Sequence, residues 1–330
     1  MADVRVILDT NLWSSIGDEG VVDEFTRLMA AHSLRVLMPP SILMEVLRMP
    51  ASAAEARGRI VHALVRGSRH RLSTEAESEA AEVVAEVKRL RPAWLRAMPD
   101  TARVASLHGF WTKAIWRQAS RDSSPLHRYE VANTQKHDHV IATQKRQRSL
   151  FLQDKAPLRP LTGLMVHEAA DAGRHLPGWD GRPVEPWRVA ARAFHWYELV
   201  QVTARALLTR EDTTTADWVG AHVDLARLRA DPEDFTRFWL QDVRVDALRR
   251  QWVRWAVNLL QADQKITKGN PADEQHCSYL VDCDLFLSAD ARCVAVFEIV
   301  NEDAPFPVAR PVLVSGDRGV PVLERIARVL

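Results

Sequence analysis

At 330 residues, 47% apolar and 26% charged, the chain has room for two hydrophobic cores and the composition of an ordinary globular protein, which excludes a disordered or fibrous one. A net charge of +1 means that any affinity for a polyanion must come from local clusters of cations. No basic segment followed by an apolar run opens the chain, and no apolar stretch approaches the roughly 18 residues of a membrane span, so a cytoplasmic protein with no membrane attachment is expected.

The first element, Val4-Arg5-Val6-Ile7-Leu8, is an apolar run that stops on Asp9, with Thr10 and Asn11 following. Such a run suits a strand of a parallel sheet, and ligands of such sheets collect beyond the carboxyl ends of the strands. Asp9 is therefore expected at a rim, either as a site residue or as the cap of the next helix. Val21, Val22, Phe25, Leu28 and Met29 make one apolar stripe, which predicts an amphipathic helix over residues 17–33. A second strand follows over residues 35–38. Pro39 and Pro40 end it, and Ser41 is the expected N-cap of a helix carrying Glu45.

From about Ala51 the pattern turns helical. Helices are expected from Thr74 to Leu90, then over residues 101–119, 126–151, 186–209, 214–229 and 242–262, separated by Pro and Gly turn signals. This block holds most of the 11 tryptophans, which its helical patterning assigns to a core rather than to base stacking. His137-Asp138-His139 carries no metal reading, because adjacent and i,i+2 residues on a helix face different ways. Near the end, Pro271 suits a first helical turn, Cys277, Leu280 and Val281 recur at helical spacing, and Leu285 to Leu287 form another apolar strand, ending in Ser288-Ala289-Asp290. The three cysteines lack CxxC spacing and read as buried thiols. Because the strands precede and follow the helical block, residues 1–50 and 265–330 are expected to make one α/β domain, with residues 51–264 inserted as an all-helical domain.

Asp9-Thr10-Asn11 after the first strand resembles a PIN-domain nuclease, as do Asp273 with Ser278-Tyr279-Leu280 and the run Cys283-Asp284-Leu285-Phe286-Leu287-Ser288-Ala289-Asp290. The resemblance covers roughly the first fifty and the last sixty-five residues. It implies a parallel sheet flanked by helices, with acids at the strand ends binding Mg²⁺ or Mn²⁺ for RNA cleavage. Asp9, Glu45, Asp273 and Asp290 match the acids as catalytic residues and metal ligands, and Thr10, Asn11 and Ser288 match residues that orient them. Carboxylate oxygens are hard ligands, and no His or Cys stands among the four acids in that pattern. Asp282 and Asp284 compete with Asp273 for its place and read as turn residues.

A site of four acids must still attract a polyanion. Cations around its rim are therefore expected to bind nucleic acid, namely Arg66, Arg69 and Arg71 in the stretch from Arg57, and Lys136, Lys145, Arg146 and Arg148 further on. The expectation is a Mg²⁺- or Mn²⁺-dependent endoribonuclease, a toxin or defence nuclease acting on RNA or another single strand. The same expectation leaves room for a homo-oligomer or for a regulatory protein partner. A structure-specific DNA nuclease and a non-catalytic scaffold on the same fold are the alternatives.

Overall fold

The computed structural model describes residues 4–66, 69–132, 159–167, 176–202, 214–263 and 275–330. The chain divides into two compact units: Met1–Thr74 with Gly109–Ala156 and Val257–Leu330, and Glu75–His108 with Pro157–Ala256. The unit that joins the two ends of the chain thus reaches beyond residues 1–50 and 265–330 and also takes in 51–74, 109–156 and 257–264.

The first unit is built on a five-stranded sheet of order β3-β2-β1-β4-β5, from β1 (Val4–Leu8), β2 (Leu34–Met38), β3 (His70–Arg71), β4 (Leu285–Ser288) and β5 (Arg310–Leu313). Every pairing is parallel. From β1 the chain steps outward to β2 and β3, then returns to place β4 on the other side of β1. That reversal makes the carboxyl ends of β1 and β4 the switch point at which ligands of open parallel sheets gather. Leu8 pairs with Leu287, which sets Asp9 and Ser288 level there.

Helices α1 (Thr10–Glu19) and α2 (Val22–Ala31) replace the single helix expected over residues 17–33. Gly20 separates them in the left-handed region (φ 70°), where its N–H closes α1 on the carbonyl of Ile16. Within α1, Gly17 faces α4 (Ala54–Val65) so closely that a Cβ would meet Ile60 Cα at 2.9 Å. This backbone contact fixes α1, and so the residues that begin it, against the first unit. Trp13 and Phe25 pack edge to face at 5.3 Å beneath α1 and α2. Helix α3 (Pro40–Leu47) starts from Pro39 without a side-chain cap, so Ser41 is not the N-cap the sequence suggests.

In the second unit the helix Glu75–Leu90 turns its acids inward rather than to solvent. Glu79 pairs with Arg254 (2.7 Å), Glu82 with Arg250 (2.6 Å) and Glu86 with Arg89 (2.6 Å). Burial still pushes Glu79 up to about 7. Trp187, Trp239 and Trp252 are buried there, as the helical reading of the tryptophans expects. His195 stacks on Trp239 at 4.5 Å, and burial drives it down to about 3, so that it stays neutral. The helix expected over 214–229 is two, Thr214–Trp218 and Leu225–Ala230.

Candidate metal centre

Asp9 leaves the end of β1 and stands at the N-terminus of α1, but its carboxylate does little of a cap's usual work. Oδ1 accepts the N–H of Thr10 (2.7 Å), while Oδ2 accepts the Ser288 hydroxyl (2.5 Å) and the Asn11 amide (2.6 Å). Asn11 also donates to Ser288 Oγ (3.1 Å) and accepts the N–H of Ala289 (3.0 Å), which staples the end of β4 to α1. Thr10 reaches the other way, donating from Oγ1 to Glu45 Oε2 (2.5 Å). The three residues expected to orient the acids therefore all touch them.

Glu45 Oε2 also accepts from His276 Nε2 (2.9 Å), and His276 Nδ1 meets the Ser41 hydroxyl (2.9 Å). Ser41 and Glu45 lie four residues apart, on one face of α3, and together hold a single buried imidazole. One oxygen each from Asp9 and Glu45 and one nitrogen from His276 lie within 4.8 Å of one another. The sequence reading missed His276. Its signal was the spacing Asp273-x-x-His276, since residues three apart share a face wherever a chain is helical, and that reading considered only acids.

Electrostatics separates the two carboxyls. Burial raises Asp9 above the usual carboxylate range; His276 and the Ser288 hydrogen bond oppose that, and the charge of Glu45 adds to it. Burial would raise Glu45 as well, but the hydrogen bond and field of His276, with Thr10 and Arg48, bring it below its usual range.

The other expected residues are distributed differently. Asp290 is exposed and does the ordinary work of an N-cap, its Oδ1 accepting the N–H groups of Arg292 (2.8 Å) and Cys293 (3.2 Å) at the start of Ala291–Asp303. It is not among the three clustered residues. Asp273, Lys136, Lys145, Arg146, Arg148 and His137-Asp138-His139 lie outside the described residues. Asp284 pairs with Arg5 (2.8 Å) at the start of β4, as a turn residue would.

The donor set can be tested against a cation. Ligands sharing one ion at about 2.0–2.2 Å lie no more than about 4.4 Å apart, so a spread of 4.8 Å closes with small side-chain adjustments. Among the described residues Asp9 Oδ1 accepts one hydrogen bond and Glu45 Oε1 none, which leaves lone pairs on both acids. Burial keeps the Asp9 carboxyl raised in spite of His276, and a cation would favour its charged form further. The residues present fit a divalent ion. Comparison with protein-family models, with curated proteins and with solved structures finds no match for this chain.

Proposed function

We propose that the first unit is a PIN-like, metal-dependent nuclease that hydrolyses phosphodiester bonds of RNA at Asp9, Glu45 and His276. The observation that carries this reading is the convergence of those three side chains within 4.8 Å at the strand ends where the strand order reverses. Asp9, Glu45 and His276 would hold the ion, and the mixed oxygen and nitrogen set favours Mn²⁺ over Mg²⁺, which prefers oxygen alone. When bound, the ion supplies charge neutralisation at a phosphodiester and acidification of water.

The rest falls to the chain's own groups. Thr10, Asn11 and Ser288 hold the Asp9 carboxylate in one orientation, and Thr10 ties it to Glu45. In the metal-free protein His276 and Thr10 hold Glu45 below its usual range, so it is anionic at neutral pH before an ion arrives. For His276 to ligate through Nε2, its proton must sit on Nδ1, where the Ser41 oxygen can accept it; this is the outer partner that metal-bound imidazoles commonly keep. Asp290 caps its helix, and its backbone N–H reaches the site by donating to Ser288 Oγ (3.0 Å).

Cleavage of labelled RNA and DNA with Mn²⁺, Mg²⁺ or EDTA, by wild type and Asp9→Asn, tests the proposal. RNA cut by wild type with Mn²⁺ and spared by the variant or by EDTA is the expected result. Equal cleavage by both proteins, or preferential cleavage of DNA, refutes it.

A further inference from the structure

The basic stretch from Arg57 to Arg71 contains five arginines, and four of them are already engaged. Arg57 donates to the carbonyls of Met49 and Pro50, Arg59 pairs with Asp18 and Glu55, and Arg66 meets Asp23 through two bonds of 2.7 Å. Arg69 donates to the carbonyls of Ala63 and Leu64 and lies over Trp13 at 4.7 Å. These four are structural groups. Arg66 and Arg69, expected to bind nucleic acid, thus each have protein partners for some of their donors.

Arg71 differs. Among the described residues it makes no hydrogen bond or ion pair, and its guanidinium lies 5.2 Å over the ring of Trp116. That indole is itself held by a bond from Nε1 to the Trp111 carbonyl (2.9 Å). Burial lowers the pKa of Arg71, and no carboxylate offsets the effect. A partly desolvated cation stacked on a fixed aromatic ring has already lost much of its side-chain freedom and still has all five donors available.

Its place in the sheet gives those donors a use. Arg71 pairs in register with Met38, the last residue of β2, and the N–H of Leu72 bonds the Met38 carbonyl (3.0 Å). It is therefore at the carboxyl rim, the same end as Asp9, and β3 lies two strand spacings from β1, on the order of 10 Å. The chain leaving Arg71 is tied to the turn after His276, because Tyr279 donates its hydroxyl to the Ser73 carbonyl (3.0 Å). Arg71 thus stands beside the cluster without being part of it.

We propose that Arg71 binds a backbone phosphate neighbouring the one at Asp9, Glu45 and His276, so that the site selects a polymeric strand over an isolated phosphodiester. The proposal rests on the phosphodiester reading of that cluster. Its bland competitor is a stem that merely covers Trp116.

Two variants separate these accounts. Arg71→Met keeps a stem over Trp116 and removes the charge; Arg71→Lys keeps the charge and loses the planar fork. Binding of a labelled single-stranded RNA in EDTA, followed across salt concentrations, reads the contact without metal or catalysis. Arg71→Met should weaken binding about tenfold at low salt, the effect of losing one charge-assisted bond. It should also reduce the salt slope by about 0.7, the value for one phosphate of a single strand. Arg71→Lys should keep the slope. With Mn²⁺, the ratio of kcat/KM for the RNA to that for bis(4-nitrophenyl) phosphate should fall about tenfold in Arg71→Met. Unchanged affinity and slope in Arg71→Met, or no RNA binding by wild type at low salt, would overturn the assignment. Failure of wild type to hydrolyse either substrate would overturn the nuclease reading alone, because the binding result still decides on Arg71.

Discussion

β1 and β4 are neighbours in the sheet, and each runs out into an aspartate that starts a helix, Asp9 and Asp290. In Asp290 the carboxylate goes to the second and third amides of its helix and stays in water. In Asp9 it is buried, takes one amide at the very start of α1, and is otherwise held by Asn11 and Ser288 beside Glu45. What separates them is the supply of competing donors. Thr10, Asn11 and Ser288 draw the Asp9 carboxylate away from the helix amides, whereas among the described residues no side chain does so for the Asp290 carboxylate. A terminal carboxylate becomes available for chemistry when other side chains replace the helix as its partner.

Activity should expose the largest difference. Asp9→Asn and Glu45→Gln are expected to lower Mn²⁺-dependent RNA cleavage by more than about 100-fold, since even second-shell losses at metal sites cost 10- to 100-fold. Asp290→Asn, which keeps a good cap, should stay within a few-fold in the same assay. A comparable collapse in Asp290→Asn would erase the distinction and return that residue to the site.

Stability sharpens the contrast. Ser288→Ala removes a donor from a buried carboxylate and should cost about 1–3 kcal/mol in urea denaturation without metal. Asp290→Ala should cost about 1 kcal/mol, the loss of a cap at an exposed helix end. Equal costs would mean that the Ser288–Asp9 bond carries no more than a cap does.

The dependence on pH should be smaller and of definite sign. Because the Asp9 pKa is raised in the folded protein, its contribution is fully present below the ordinary Asp range and is lost as pH rises through the raised value. Metal-free Asp9→Asn should therefore gain on wild type in thermal melts as pH rises from about 4, and Mn²⁺ should cancel that gain by stabilising wild type alone. Glu45 has the opposite sign, with stability present above its unfolded pKa and lost as pH falls through its lowered folded value. A difference between the two proteins that stays constant with pH would contradict the assigned shift of Asp9.

The sequence made β1, β2 and β4 legible, because each is an apolar run stopped by a turn residue, and it made Asp9 and Glu45 legible by their places after strands. β3 was not, since two residues give no pattern. β5 was hidden by Pro311, which argues against a strand but is tolerated here because β5 lies at the sheet edge. The break at Gly20 went unread because the apolar stripe from Val21 to Met29 begins only after it. His276 was only half legible: its spacing from Asp273 stood in the sequence, but its role depends on Ser41 and Glu45 converging from a helix more than 200 residues away in the chain. Charge counting along the stretch from Arg57 to Arg69 did not show that Arg59 and Arg66 pair with Asp18 and Asp23, because those partners come from elsewhere in the chain.

The central claim is that Asp9, Glu45 and His276 form one cation site, and a Mn²⁺ titration followed by electron paramagnetic resonance tests it without a substrate. Wild type at neutral pH should bind Mn²⁺ with a bound signal that Asp9→Asn and His276→Ala abolish and Asp290→Asn retains. Binding that survives in Asp9→Asn and His276→Ala, or that is missing in wild type, would contradict the account.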